Sequence, residues 1–157
     1  MRKVLITGAS GFLGYHLVQE AQDMGFDVYG GVRLNSETAH LNCSLVYLNY
    51  GSANELDLVL KEYDFDYIVH AAALTRAKTD AAYERVNVQY AVNLAKAASK
   101  NQNLKAFVFV GSLAAIGPVP FDAPPLREDS VQSPVTAYGR SKQRAETLLK
   151  EIEGLPL

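Results

Sequence analysis

Along the chain, unbroken apolar runs alternate with stretches in which apolar residues recur every three or four positions. This alternation predicts strands and helices in turn. Lys3-Val4-Leu5-Ile6-Thr7 has no helical period and reads as a buried strand. Leu13, Leu17, Ala21 and Met24 then form the inner stripe of a helix. Asp27 to Val32 predicts a second strand, and the polar stretch from Leu34 to Cys43 is too short for a crossover helix. Ser44 to Leu48 predicts a third strand. Ser52-Ala53-Asn54-Glu55 matches a capping box that opens a helix through Lys61, with Leu56, Val59 and Leu60 facing inward. Tyr67 to His70 reads as the fourth strand and Ala106 to Val110 as the fifth.

Between those two strands, Ala81 to Lys100 predicts a long helix with two apolar stripes. One stripe is Tyr83, Val86, Tyr90, Leu94 and Ala97, and the other is Val88, Val92 and Ala95. Such a helix must bury both sides, so one is expected to meet the sheet and the other a partner chain. The segment from Gly117 to Pro125 is proline-rich and reads as a loop. A final helix carries Tyr138, Lys142, Ala145 and Leu149 and stops at Gly154, with Pro156 beyond. Strands alternating with helices imply an α/β fold, a doubly wound parallel sheet covered on both faces.

Composition narrows the class. The 157 residues suit one domain, and no run approaches a membrane span. The formal charge is −2 with scattered basic residues, so neither nucleic acid nor a membrane surface is an expected partner. Cys43 is the only cysteine, which rules out an internal disulfide and fits a cytoplasmic protein. The three histidines lie far apart in sequence without ligand spacing, so no metal is expected.

The chemistry begins at Thr7-Gly8-Ala9-Ser10-Gly11-Phe12-Leu13-Gly14. A glycine-rich turn from a buried strand into a helix N-terminus aims free N–H groups and the positive end of the helix dipole at one place. That is a phosphate site, and its position after the first strand predicts a dinucleotide. The spacing is G-x-x-G-x-x-G rather than the commoner G-x-G-x-x-G. At the tip of the second strand, over the adenosine ribose, stands Arg33 in place of a carboxylate. An arginine suits the extra phosphate of NADP and tilts the choice that way, with NAD the alternative. Ala71, Ala72 and Ala73 end the fourth strand, where something flat can lie against the backbone or the alanines can simply pack tightly. Asn87 is polar within an apolar surface, either a satisfied core amide or an ordering group near the site. Tyr138 and Lys142 share a helix face, and a nearby ammonium brings a phenol into range for general acid–base work. Ser112, at the C-terminal end of the fifth strand, is placed to present a substrate hydroxyl or carbonyl to Tyr138.

The order of these pieces resembles the extended branch of the short-chain dehydrogenase/reductase superfamily, the NAD-dependent epimerase/dehydratase family. The glycine turn, His70-Ala71-Ala72-Ala73, Asn87, Ser112 and Tyr138-Gly139-Arg140-Ser141-Lys142 carry the resemblance, which covers the whole chain. It implies a Rossmann-like fold and an NAD(P) cofactor bound by Gly8, Ser10, Gly11, Phe12, Leu13, Gly14, Arg33, Asn49, Tyr50, Ala71, Ala72, Ala73, Asn87, Tyr138 and Lys142. It also implies catalysis by Ser112, Tyr138 and Lys142, with Tyr138 passing a proton while hydride moves at the nicotinamide. It further implies a homodimer through the 81–100 helix and the helix carrying Tyr138.

Departures refine the expectation. Ser112-Leu113-Ala114 replaces the Thr-Asp-Glu run of the dehydratases, and Ala115-Ile116-Gly117 replaces the Val-Tyr-Gly of many epimerases. Asn49 stands where an aspartate usually faces the adenine. These features, with Arg33, point to a carbonyl reductase. A nucleotide-sugar epimerase and a cofactor-binding module without catalysis are the alternatives. Relatives are longer and add a substrate domain, so residues 1–157 read as an incomplete NAD(P)-binding domain, inactive alone, with its fifth strand left as an open apolar edge.

Overall fold

A computed structural model describes residues 1–157. Five parallel strands form one sheet: β1 (Lys3–Thr7), β2 (Asp27–Val32), β3 (Ser44–Tyr47), β4 (Tyr67–His70) and β5 (Ala106–Phe109), in the order β3-β2-β1-β4-β5. The reversal of strand order beside β1 opens a crevice at the C-terminal ends of β1 and β4, where open α/β sheets bind ligands. The fold is Rossmann-like, as the alternation predicts.

The two faces are covered unequally. On one, Val4, Ile6, Val28 and Val32 meet Val18 of α1 (Phe12–Asp23). On the other, Leu5, Val46, Ile68 and Phe107 pack against α2 (Ala53–Tyr63), α4 (Tyr90–Ala98) and α5 (Ala137–Lys150) through Leu56, Leu60, Leu94 and Leu149. Alternate residues of each strand serve opposite faces, as the pleat requires. No helix is long and apolar enough to cross a membrane.

Several expectations need correction. In α1 the buried line runs through Gly14 and Val18, flanked by half-buried Leu17 and Ala21, whereas Leu13 and Met24 are exposed. Gly14 shifts the contact because it lets the helix rest directly on the backbone of the turn. β3 and β5 each end one residue earlier than the apolar runs suggest. The capping box of α2 is half formed. Ser52 Oγ accepts from Glu55 N–H at 3.3 Å, but the Glu55 carboxylate accepts from Asn49 Nδ2 instead.

The expected 81–100 helix is three pieces: α3 (Asp80–Tyr83), a π-helical segment (Glu84–Gln89) and α4. Of its second apolar stripe, Val92 is left half-buried. Val88 and Ala95 are fully buried within this chain, where α5 packs against the π segment and α4. The β5 edge is less open than expected, because Phe107 N–H donates to the Pro156 carbonyl at 2.7 Å. Val108 nevertheless remains half exposed beside it.

Candidate functional site

The turn between β1 and α1 comes first. Gly8 has φ +69°, and a Cβ there would lie 2.8 Å from the backbone of Ala72, so only glycine lets the turn lie against the end of β4. Gly11 N–H bonds to the Gly8 carbonyl, and a Cβ on Gly14 would fall 2.1 Å from that same oxygen. Tyr15 N–H is the first to find an intrahelical carbonyl, that of Gly11. The N–H groups of Phe12, Leu13 and Gly14 are therefore left at the helix N-terminus, as an anion site requires.

Thr7 ties this turn to β4. Its Oγ1 lies 2.8 Å from His70 Nδ1 and accepts from Ala72 N–H at 3.2 Å. Burial lowers the His70 pKa to about 3, so the ring is neutral, and its Nε2 has no hydrogen-bond partner. Tyr50 is also buried, with its hydroxyl unpartnered and its pKa pushed up to about 12 by burial. Its ring stacks on Tyr90 at 5.7 Å.

These elements surround a cavity of about 200 Å³. Of the residues assigned to a cofactor from sequence, it is lined by Gly8, Ser10, Gly11, Arg33, Tyr50, Ala71, Ala72 and Ala73. Asn49 lines an adjoining cleft that shares Arg33, Tyr50 and Tyr90. Six assigned residues lie outside both linings: Phe12, Leu13, Gly14, Asn87, Tyr138 and Lys142. Phe12 and Leu13 turn their side chains to solvent and offer only backbone N–H groups, while Gly14 is a packing glycine.

Asn87 finds its partners within the chain. Its Nδ2 donates to the Leu74 carbonyl at 2.9 Å and to Ser141 Oγ at 3.0 Å, and its Oδ1 accepts from Leu74 N–H at 2.7 Å. Ser141 in turn donates to the Tyr138 carbonyl at 2.7 Å. Both amide hydrogens are spent inside the protein. Asn87 is thus a buried clamp between the wall after β4 and α5. The π segment widens the helix where this side chain turns inward.

On α5, Thr136 caps the helix through Gly139 N–H, and a Cβ on Gly139 would lie 2.2 Å from the Ala114 carbonyl. This close approach seats α5 on the short 3₁₀ turn Leu113–Ala115, whose N-cap is Ser112. Ser112 Oγ accepts from Ala114 N–H at 3.2 Å. Tyr138 is half-buried with its ring 6.1 Å from that of Tyr83. One turn later Lys142 is 2 % exposed; its Nζ donates to the Val110 carbonyl at 2.5 Å and sits 4.2 Å over the Phe109 ring. Burial lowers its pKa to about 8, against the opposing influence of Glu146, so the ammonium persists at neutral pH.

The sequence reading missed Thr7 and His70 as a buried pair, and it missed Ser36, Leu74, Val86 and Tyr90 as cavity residues. Tyr90 and Val86 were visible only as helix stripe. No group of three or more metal-ligating side chains is present.

The chain is 29% identical to a UDP-glucose 4-epimerase of Azospirillum brasilense over 95% of this chain and 44% of that protein. It is 30% identical to methionine adenosyltransferase 2 subunit beta of Xenopus tropicalis over 98% of this chain and 44% of that one. The crystal structure of UDP-glucose 4-epimerase from Brucella ovis in complex with NAD superposes with a TM-score of 0.86. It shares 25% identity over 96% of this chain and 47% of that chain. The chain spans somewhat under half the length of these relatives. Residues 4–154 match the model of the NAD dependent epimerase/dehydratase family, and the chain belongs to that family.

Proposed function

We propose that residues 1–157 are the dinucleotide-binding part of an NAD-dependent epimerase acting on a nucleotide sugar. One observation carries this reading. The N-terminal turn of α1, the β2 tip at Arg33 and the backbone of Ala71–Ala73 enclose one cavity at the C-terminal edge of the sheet. Just beyond the edge strand β5, Ser112 caps the 3₁₀ turn on which α5, with Tyr138 and Lys142, is seated. A dinucleotide fits this cavity by its chemistry, since the close glycine turn and unpaired N–H groups suit a pyrophosphate.

Gly8, Ser10, Gly11 and the amides of Phe12 and Leu13 would hold the phosphates, with Arg33, Asn49 and Tyr50 at the adenosine end. The nicotinamide, when bound, supplies the hydride acceptor. The chain's own residues do the rest. Ser112 Oγ holds the substrate hydroxyl, and Tyr138 Oη takes or returns its proton. The Lys142 ammonium, one turn away on the same helix, stabilises the phenolate. The sugar-nucleotide substrate follows from the UDP-glucose epimerases among the relatives. A homodimer through the 81–100 region and α5 stays within the proposal on family resemblance.

A second reading, an NADP-dependent reductase, is favoured by exposed Arg33 at the β2 tip and by Leu113-Ala114 after Ser112. The test uses a form extended to the relatives' length, incubated with UDP-glucose and NAD. The epimerase reading expects an epimeric sugar with no net change in cofactor, and a fall of about 100-fold or more in Tyr138→Phe. Net oxidation or reduction of cofactor without an epimer would establish the reductase instead. Cofactor binding with neither product would leave a binding module.

A further inference from the structure

The charge and hydrogen-bond partners of α5 extend beyond the residues discussed so far. Glu146 lies one helical turn after Lys142, on the same face. One of its oxygens, Oε2, accepts from Gln132 Nε2 at 2.8 Å. The other, Oε1, is pressed against Gly111, where an added Cβ would meet it at 2.7 Å. Gly111 immediately precedes Ser112. Gln132 is held a second time, its carbonyl accepting from Gln143 Nε2 of α5 at 3.3 Å. Next to it, Ser133 N–H donates to the Ile116 carbonyl at 2.7 Å, so the proline-rich segment returns to the site at this point. Half-buried Glu146 therefore touches that return and the residue before Ser112, one turn from the lysine.

We propose that Glu146 is a positioning residue of the candidate site, which latches the return of the proline-rich segment through Gln132 and sets a carboxylate one helical turn from the buried Lys142. The catalytic significance of this role rests on the function proposed above, but the role itself does not. Burial of Lys142 works against its charge, and Glu146 works for it. The other ionisable groups near Lys142 do not replace Glu146. His70 on β4 is neutral. From β5 come only the Phe109 ring and the Val110 carbonyl. Tyr83 of α3 is a phenol packed on Tyr138, and Glu84 of the π segment is taken by Arg144 at 3.4 Å.

The experiment follows the Lys142 side chain by NMR titration of the 157-residue chain, assigned through Lys142→Arg, with no cofactor or substrate present. Glu146→Gln keeps an acceptor for Gln132 and removes the charge, so the Lys142 midpoint is expected to fall by about 0.5 to 1 unit. Gln132→Ala keeps the charge, so the midpoint should stay where it is, while exchange of the Ser133 amide quickens roughly fivefold. An unmoved Lys142 midpoint in Glu146→Gln would overturn the electrostatic role. Unchanged Ser133 exchange in Gln132→Ala would overturn the latch. Neither readout depends on turnover, so the proposed epimerase activity can fail without touching this result, and the reverse.

Discussion

The glycine turn between β1 and α1 and the face of α5 that carries Tyr138 and Lys142 lie at the same edge of the sheet, but they keep their shapes by different means. The turn is backbone against backbone: Gly8 lies on Ala72, Gly14 on the Gly8 carbonyl, and Gly11 N–H bonds to that same oxygen. The α5 face depends on side chains reaching across long stretches of sequence. Asn87 joins Leu74 to Ser141, Lys142 reaches Val110, and Glu146 reaches Gln132. A site of the first kind tolerates almost no added atom. One of the second kind tolerates volume but not the loss of a partner.

Substitutions at the turn should separate the two most sharply. Gly14→Ala is expected to cost about 3 kcal/mol or more in urea unfolding, because its Cβ has only the Gly8 carbonyl to displace. Gly25→Ala, at φ +80° with open space around it, should cost only about 1 kcal/mol. A cost at Gly14, which has no positive φ, no larger than at Gly25 would mean that the close contact is not what makes glycine necessary there.

The α5 side is tested next by Asn87→Leu, which keeps the volume and strands the Leu74 N–H and carbonyl. A loss of about 2 to 3 kcal/mol is expected, with weaker dinucleotide binding because Leu74 belongs to the cavity wall. If the variant unfolds at the wild-type urea concentration, the clamp contributes nothing.

His70 gives the smallest effect, confined to acid. The folded ring binds its proton only near pH 3, whereas an unfolded histidine does so near 6.5. The unfolded state therefore takes up a proton first as pH falls. Stability from this group is complete above about pH 6.5 and is lost progressively toward pH 3. His70→Gln should flatten that part of the stability curve while leaving the neutral range little changed. A variant as acid-sensitive as wild type would show that other groups govern the acid limb.

The same contrast explains what was legible in the sequence. β1, β2 and β4 end where their apolar runs end, and the turn was readable because glycine spacing, strand and helix are all local. The 81–100 region was read as one α-helix because hydrophobic spacing does not distinguish an α turn from the slightly wider π turn. Nothing local shows α5 folding back over Val88 and Ala95 of the double stripe. Asn87 stands out in the sequence as polar within an apolar surface, and the sequence leaves open whether it is a satisfied core amide or an ordering group near the site. Its partners Leu74 and Ser141 stand 13 and 54 residues away, and only the folded chain brings them within reach.

Calorimetric titration of this 157-residue chain with NAD and then NADP tests the central claim most directly. Saturable binding of NAD, abolished by Gly14→Ala and retained in Tyr138→Phe, is the result expected of a dinucleotide site built from the turn. Tighter NADP binding would give Arg33 the role its position suggests and favour the reductase reading. Binding of neither nucleotide to a chain that is otherwise folded would contradict the assignment of the cavity.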